Sequence, residues 1–265
     1  MSKRLLTKRW ILTTLLVLAA MAVMVRLGFW QLDRLKQRRA FNARVLAQVN
    51  APQLDLNQAL AKLSPGALAD MEYHPVTVTG QYDYSQQVAW RNQPFNGQFG
   101  IHLLTPLRIT GSNEAILVDR GWIPQKDFDS GNLAQYDPPG DVTVSGYIRN
   151  SQVKPFFWTV SDPPAALGKR LAGFYIADLG RISQQVPYPL LPVLLNATPV
   201  AGVSGLPYRS DLNLDLSEGP HLGYAIQWFA FSIILGITYI LLIRKELSKG
   251  SKVAILREKP DTEWS

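Results

Sequence analysis

His221 is the residue whose type and position best suit chemistry, because it directly precedes an uncharged apolar block, residues 222–243. On a helix, Tyr224 and Trp228 would follow it on the same face, one and two turns further on. A histidine at a membrane edge followed by aromatic side chains could bind a haem, since imidazole is the usual axial ligand of haem iron and aromatic faces pack against the macrocycle. The alternative is an interfacial belt, in which His and Tyr lie at the level of the lipid head groups.

The motifs of common enzyme classes are absent from the sequence. It contains no G-x-G-x-x-G, Walker A, H-E-x-x-H or G-x-S-x-G pattern, and the lack of cysteine excludes disulfides, thiolate metal sites and thiol nucleophiles. The other two histidines, His74 and His102, are interpreted as structural or surface residues. Arg120-Gly121-Trp122 is interpreted as the end of a strand, with a turn glycine beside a packing aromatic residue. With no catalytic constellation in the sequence, a periplasmic enzyme anchored by two helices is the weakest of the functional interpretations.

Two apolar blocks, residues 10–30 and 222–243, must position these side chains. At 1.5 Å per residue each reaches about 30 Å, the thickness of the hydrocarbon core of a bilayer, so each is predicted to be a transmembrane helix. A cleaved signal peptide is the alternative for the first block. The length of its apolar run favours an uncleaved anchor.

The charge distribution indicates how such a chain would cross a membrane. The net charge is +7, yet residues 31–221 hold sixteen basic and sixteen acidic side chains, so the excess lies in the tails and at Arg26. This pattern indicates membrane topology rather than nucleic-acid binding. Six basic residues follow the second block and only Arg209 closely precedes it, so the tails (residues 1–9 and 244–265) are predicted to be cytoplasmic. The intervening domain is then periplasmic, in a bacterial inner membrane and in contact with its lipid.

Residues 31–50 are predicted to continue the first helix beyond the membrane and to end before Pro52. Two interpretations of its basic side chains remain open: a solvated helical face, or contact with anionic lipid head groups or an acidic partner. The residues concerned are Arg34, Lys36, Arg38, Arg39 and Arg44.

From Tyr73 onward the pattern changes to that of short strands separated by Gly, Pro, Asn and Asp. The predicted strands are residues 76–82, 88–91, 101–110, 115–118 and 142–148. A short helix is predicted within 176–185, and a loop over 188–206. The fold class is thus a membrane protein with two transmembrane helices flanking a mainly β domain, an antiparallel sandwich or barrel with some helix.

Five motifs follow one another along the chain: Gly28-Phe29-Trp30-Gln31-Leu32-x-Arg34, Thr105-Pro106-Leu107, Leu117-Val118-Asp119-Arg120-Gly121-Trp122-Ile123-Pro124, Val144-Ser145-Gly146 and His221-Leu222-x-Tyr224-Ala225-x-Gln227-Trp228-Phe229. Together, in order and spacing from about Trp10 to Ile243, they resemble the surfeit-locus-one family of cytochrome c oxidase assembly proteins. One departure is visible: Gly219-Pro220 precede His221, where family sequences often carry two asparagines.

The resemblance implies a non-enzymatic assembly factor that binds haem a transiently and aids its insertion into oxidase subunit I. The family histidine linked to haem corresponds to His221. Haem a synthase is a further candidate partner, and the alternative function is a haem-free membrane scaffold that stabilises an oxidase assembly intermediate.

Two arginines are candidates for binding the anionic haem propionates, because both are expected near the height of His221. Arg26 is one turn before Trp30 and Arg34 is one turn after it. The alternative is that Arg26 extends to lipid phosphate or pairs with Glu218.

Overall fold

The computed structural model describes residues 7–152, 162, 170–203 and 205–257. The tails predicted to be cytoplasmic therefore lie partly outside the described residues. The chain divides into two compact units: Met1–Asn42 with Leu216–Ser265, and Ala43–Asp215. We call them the helix pair and the barrel unit.

The helices within the described residues are α1 (Lys8–Val49), α2 (Leu56–Ala59), α3 (Pro65–Ala69), α4 (Gln125–Asp129), α5 (Leu179–Ser183) and α6 (His221–Arg257). The strands are β1 (Leu54–Asp55), β2 (Pro75–Tyr82), β3 (Val88–Trp90), β4 (Gly100–Ile109), β5 (Ala115–Pro124), β6 (Asp141–Asn150), β7 (Gly173–Phe174) and β8 (Leu190–Ala197). The prediction that the first helix continues to about residue 50 is confirmed, and α5 confirms the short helix predicted within 176–185.

Helices α1 and α6 pack antiparallel along a seam. Buried and half-buried residues recur on α1 in alternating steps of three and four, at Thr14, Val17, Met21, Met24, Gly28, Gln31, Leu35, Arg38 and Asn42. Such spacing keeps one stripe of a helix against a partner. Early residues of α1 meet late residues of α6: Thr14 bonds the hydroxyl of Tyr239, and Ser232 donates to the carbonyl of Met21.

Both helices are long and apolar enough to cross a membrane. Only 11% of the most apolar window of α1 and 6% of that of α6 is buried. Most of their apolar surface therefore faces outward rather than into a protein core.

Five strands of the barrel unit close into a barrel in the order β2-β6-β8-β5-β4, because β4 also pairs with β2. Strand β1 extends the sheet beside β2, while β3 and β7 extend it beyond β4. The β5–β8 pair is parallel and the other four pairs of the ring are antiparallel. The prediction of a barrel is confirmed, but the sheet is mixed rather than purely antiparallel.

Alternate residues of the barrel strands point inward and form its core. Their side chains are almost fully buried: Val76, Val78, Leu107, Ile116, Val118, Val144, Ile148, Val193 and Leu195. In β2 this alternation is the period-two pattern that predicts the strand from the sequence.

The loop predicted over residues 188–206 is wrong at its centre, because β8 occupies Leu190–Ala197 and joins β5 to β6. Its apolar run is interrupted by Pro192, which has no N–H to donate to a neighbouring strand. The pairing of β8 with β5 shifts register beside this proline, between Ala115 and Leu117. This irregularity lets the proline lie within the sheet.

Candidate functional site

His221 opens α6 and forms a hydrogen bond with α1. Its Nδ1 lies 2.9 Å from Oε1 of Gln31, whose side chain is buried at one step of the seam. An amide oxygen only accepts, so in the neutral imidazole this contact favours the tautomer with the proton on Nδ1 and a lone pair on Nε2. The contact thereby orients one imidazole nitrogen as a potential ligand for a metal.

A glycine lies close to that nitrogen in the backbone before His221. Gly219 has a φ of +68°, a left-handed conformation that favours glycine. A Cβ at Gly219 would lie 3.6 Å from Nε2 of His221. A side chain at position 219 would therefore contact the imidazole, and glycine avoids that contact.

Three polar side chains of α1 hold the segment that leads into α6. Asn42 donates to the carbonyl of Leu216 at 2.6 Å, and Arg38 donates to that of Ser217 at 2.9 Å. Arg39 binds both carboxylate oxygens of Glu218 at 2.8 Å. These contacts fix the position from which His221 reaches Gln31.

The ion pair between Arg39 and Glu218 bears on the interpretation that Glu218 pairs with Arg26. The hydrogen bond from Arg39 lowers the pKa of the Glu218 carboxyl, and the same bond raises the pKa of Arg39. Both side chains are about half exposed, so solvent and salt screen their attraction. The interpretation that Arg26 pairs with Glu218 is wrong, because Arg39 is its partner.

The aromatic candidates lie on α6 beyond His221. Tyr224 is 46% exposed, whereas Trp228 is half-buried and meets Phe231 edge-on, with the ring centroids 6.3 Å apart. Phe229 packs across the seam against Phe29, 5.4 Å between centroids. Accessible aromatic faces therefore accompany the histidine on its helix.

The two arginine candidates occupy different faces of α1. Arg26 lies two residues from both Met24 and Gly28, so it points about 200° away from these seam positions and is exposed. Arg34 lies one turn beyond Gln31, beside the seam, and its guanidinium donates to Gln37 at 3.0 Å. Arg34 therefore lies beside the seam one turn from Gln31, and Arg26 lies on the far face of α1.

The other histidines are held within the barrel unit. His102 on β4 binds the buried carboxylate of Asp119 at 2.8 Å, and His74 binds Gln48 at 3.0 Å. Burial lowers the pKa of His74. Across residues 7–152, 162, 170–203 and 205–257, no cluster of three or more His, Asp or Glu could hold a metal ion.

The Arg120-Gly121-Trp122 segment lies inside β5, which runs on to Pro124, so its predicted place at a strand end is wrong. Arg120 is 2% exposed and donates to Gln87 and Asp137 at 2.8 Å, and to the carbonyl of Tyr136. The guanidinium lies over the rings of Tyr82 and Tyr84. Trp122 does pack as an aromatic residue, against Phe95.

Sequence reasoning missed Gln31 as the partner of His221. Two signals were available: a polar residue three positions after Gly28, and its place in the alternating steps of the seam. The partner across the seam could not be read from α1 alone. A single oriented imidazole can supply one ligand to a metal.

Comparison with known proteins agrees with the motifs. The model of the SURF1 family matches residues 18–233. A SURF1-like protein of Rickettsia felis is 28% identical over 250 residues, which cover 89% of this chain and 99% of that protein. A SURF1-like protein of Caenorhabditis elegans is 26% identical over 256 residues, covering 89% and 76%. Surfeit locus protein 1 of Xenopus tropicalis is 24% identical over 218 residues, covering 77% and 66%.

Proposed function

Because the chain belongs to the SURF1 family, we propose that it is an assembly factor for haem-a-containing cytochrome c oxidase, binding haem a and aiding its insertion into subunit I. Family membership implies a role in cytochrome oxidase assembly. The haem is cargo, passed on rather than kept. The protein catalyses no reaction in this proposal, and haem a synthase is a candidate donor of the haem.

The hydrogen bond between His221 and Gln31 is the observation that carries haem binding. It leaves Nε2 of the neutral imidazole with a lone pair, and Gly219 places no side chain against that nitrogen. The cargo would supply an iron that takes an imidazole nitrogen as axial ligand. Gln31 would hold the ring in one tautomer and orientation, as partners of metal-bound histidines do.

The two long apolar helices support a membrane location for this activity. We place residues 10–30 and 222–243 across a bacterial inner membrane, with both termini in the cytoplasm and residues 31–221 in the periplasm. The basic residues after α6's apolar stretch support this orientation. Reporter fusions at Ser130 and after Arg257 should report opposite compartments; a shared compartment would exclude two spans.

The haem proposal is tested by the spectrum of the protein purified in detergent from cells that make haem a. Wild-type protein should carry haem, and His221→Ala should lose it or shift its spectrum. His74→Ala and His102→Ala are matched controls, because each also removes a histidine bonded through Nδ1. Wild-type haem content in a well-expressed His221→Ala protein would refute the ligand assignment and favour the haem-free scaffold.

Arg34 is the better supported of the two propionate candidates, because it lies beside the seam one turn from Gln31. Arg34→Gln should weaken haem retention, while Arg26→Gln, on the far face of α1, should not. Haem retention equal to that of the wild type in both variants would show that neither arginine belongs to the site. Loss in Arg26→Gln alone would reverse this assignment.

A further inference from the structure

The exposed apolar side chains of the barrel unit are concentrated in two segments. Six large apolar residues are exposed among its described residues, and five of them lie between Asn92 and Gly100 or between Thr198 and Tyr208. The five are Phe99 (77%), Val203 (74%), Val200 (53%), Leu206 (41%) and Tyr208 (41%). Only Leu46, on α1, lies elsewhere.

The two segments form one continuous surface. The rings of Phe95 and Tyr208 lie 4.4 Å apart between centroids, and Trp122 packs against Phe95 at 5.4 Å. Backbone hydrogen bonds join Trp122 and Tyr208 in both directions, at 2.8 and 2.7 Å. We call these two segments the end patch.

The end patch lies at one end of the β4–β5 hairpin. Phe99 immediately precedes β4, and its carbonyl accepts from Gln125, immediately after β5. The hairpin turn at the other end of both strands contains Asn113. Arg209 closes the base of the second segment by donating to the carbonyls of Arg120 and Thr198. The exposed side chains are therefore presented from an anchored base.

The chemistry of the end patch is that of a surface that contacts lipid. Neither segment contains a charged residue: residues 92–100 read NQPFNGQFG, and residues 198–208 read TPVAGVSGLPY. Exposed apolar groups concentrated in one place mark an interaction site. Aromatic and aliphatic side chains without charge partition into the interfacial layer of a bilayer.

We propose that the end patch docks into the interfacial layer of the membrane that the two helices span. This inference rests on the membrane anchoring proposed above. Continuity along the chain supports lipid as the occupant, because His221, the first residue of α6, is only thirteen residues beyond Tyr208. The last five of these residues follow α1 from Asn42 to Gln31, and the other eight span at most about 28 Å, which keeps the patch within reach of the bilayer surface.

The absence of cysteine makes the test direct, because a single introduced cysteine carries the only label. Spin labels are placed separately at Phe99→Cys and Val203→Cys in the full chain, reconstituted in vesicles of phosphatidylethanolamine and phosphatidylglycerol. Asn113→Cys, exposed at the opposite hairpin turn, is the matched control. Ile233→Cys, 60% exposed in α6, reports on the helix itself.

Labels at Phe99 and Val203 should collide often with oxygen, which concentrates in lipid, and lose most collisions with a water-soluble nickel chelate. The label at Asn113 should remain accessible to the chelate. Free access of the chelate to Phe99 and Val203, with Ile233 shielded in lipid, would overturn the docking and leave the anchoring intact. Reduced access of both oxygen and chelate would indicate a protein partner or a second copy, which also overturns it. An accessible Ile233 would instead refute the anchoring.

Discussion

The barrel unit buries its apolar side chains, whereas the helix pair leaves most of its apolar side chains exposed. The barrel closes on itself, and residues such as Val76, Leu107 and Ile116 are 0% exposed. In the helix pair only one stripe of each helix is covered, while Ile226 and Ile233 remain 60% exposed. The barrel therefore carries its own apolar interior, whereas the helix pair requires an apolar surrounding.

The same difference governs their polar residues. Arg120 in the barrel is 2% exposed and bound on several sides, so it is committed to structure. Gln31 in the helix pair is buried, but its partner His221 is only partly covered. A polar pair at the end of a two-helix seam is accessible to a ligand, whereas a polar pair sealed inside a barrel is not.

The largest effect is expected from Arg120→Ala, which leaves Asp137 without its cation. Removing one member of a buried ion pair costs about 3–5 kcal/mol of unfolding free energy. Urea unfolding of the detergent-solubilised chain measures it. Arg39→Ala is the control, because it removes an exposed ion pair of the helix pair and should change the urea midpoint little. Equal losses of unfolding free energy in the two variants would contradict the difference between the barrel unit and the helix pair.

Gln31→Leu should separate ligand binding from stability. The substitution removes the acceptor that orients His221, and loss of such a partner typically lowers metal affinity about 10–100-fold. A leucine fits the apolar seam, so the thermal midpoint of the helix pair should hold. Haem retention during dialysis is the measurement. Retention equal to wild type would show that Gln31 does not position the ligand.

Gly80→Ala should be more damaging than Gly28→Ala. A Cβ at Gly80 would lie 2.1 Å from the backbone oxygen of Arg108, where β2 meets β4 and closes the barrel. Such overpacking costs about 1–3 kcal/mol. A Cβ at Gly28 would meet the outer edge of the Phe229 ring at 2.6 Å, and that ring can turn away. Comparison of the two unfolding midpoints tests the order; a greater loss in Gly28→Ala would reverse it.

The smallest effect at neutral pH is expected from Tyr82→Phe, because the buried hydroxyl of Tyr82 has no hydrogen-bond partner among the residues that the structure describes. Burial raises the pKa of Tyr82 to about 12. The unfolded chain releases this proton near pH 10 and the folded chain only near pH 12. The stability that the neutral hydroxyl gives the folded state is therefore complete below pH about 10 and is lost as the pH rises through about 12. Unfolding midpoints measured across this range should fall less steeply in Tyr82→Phe. An identical pH dependence of the two midpoints would contradict the raised pKa of Tyr82.

The strands that were predicted well are those whose pattern is local. In β2 and β6 the inward valines alternate with outward threonines and serine, so a half-buried strand is visible in either segment alone. Strand β8 was missed because Pro192 contradicts a strand unless the neighbouring strand β5 accommodates it. The predicted strand ends at Val118 and omits residues 119–124 of β5, because from the sequence alone Gly121 could lie in a strand or in a turn.

Composition, period and motif order by themselves determined the two apolar helices, the extension of α1 to Val49, most strands of the barrel and the family resemblance. Each depends on residues that are neighbours along the chain. Only the tertiary structure decided that β4 closes on β2, that Arg39 takes Glu218, and that Gln31 meets His221 from 190 positions away. Such contacts depend on the register between distant segments, which is set by packing and leaves no mark in either segment alone.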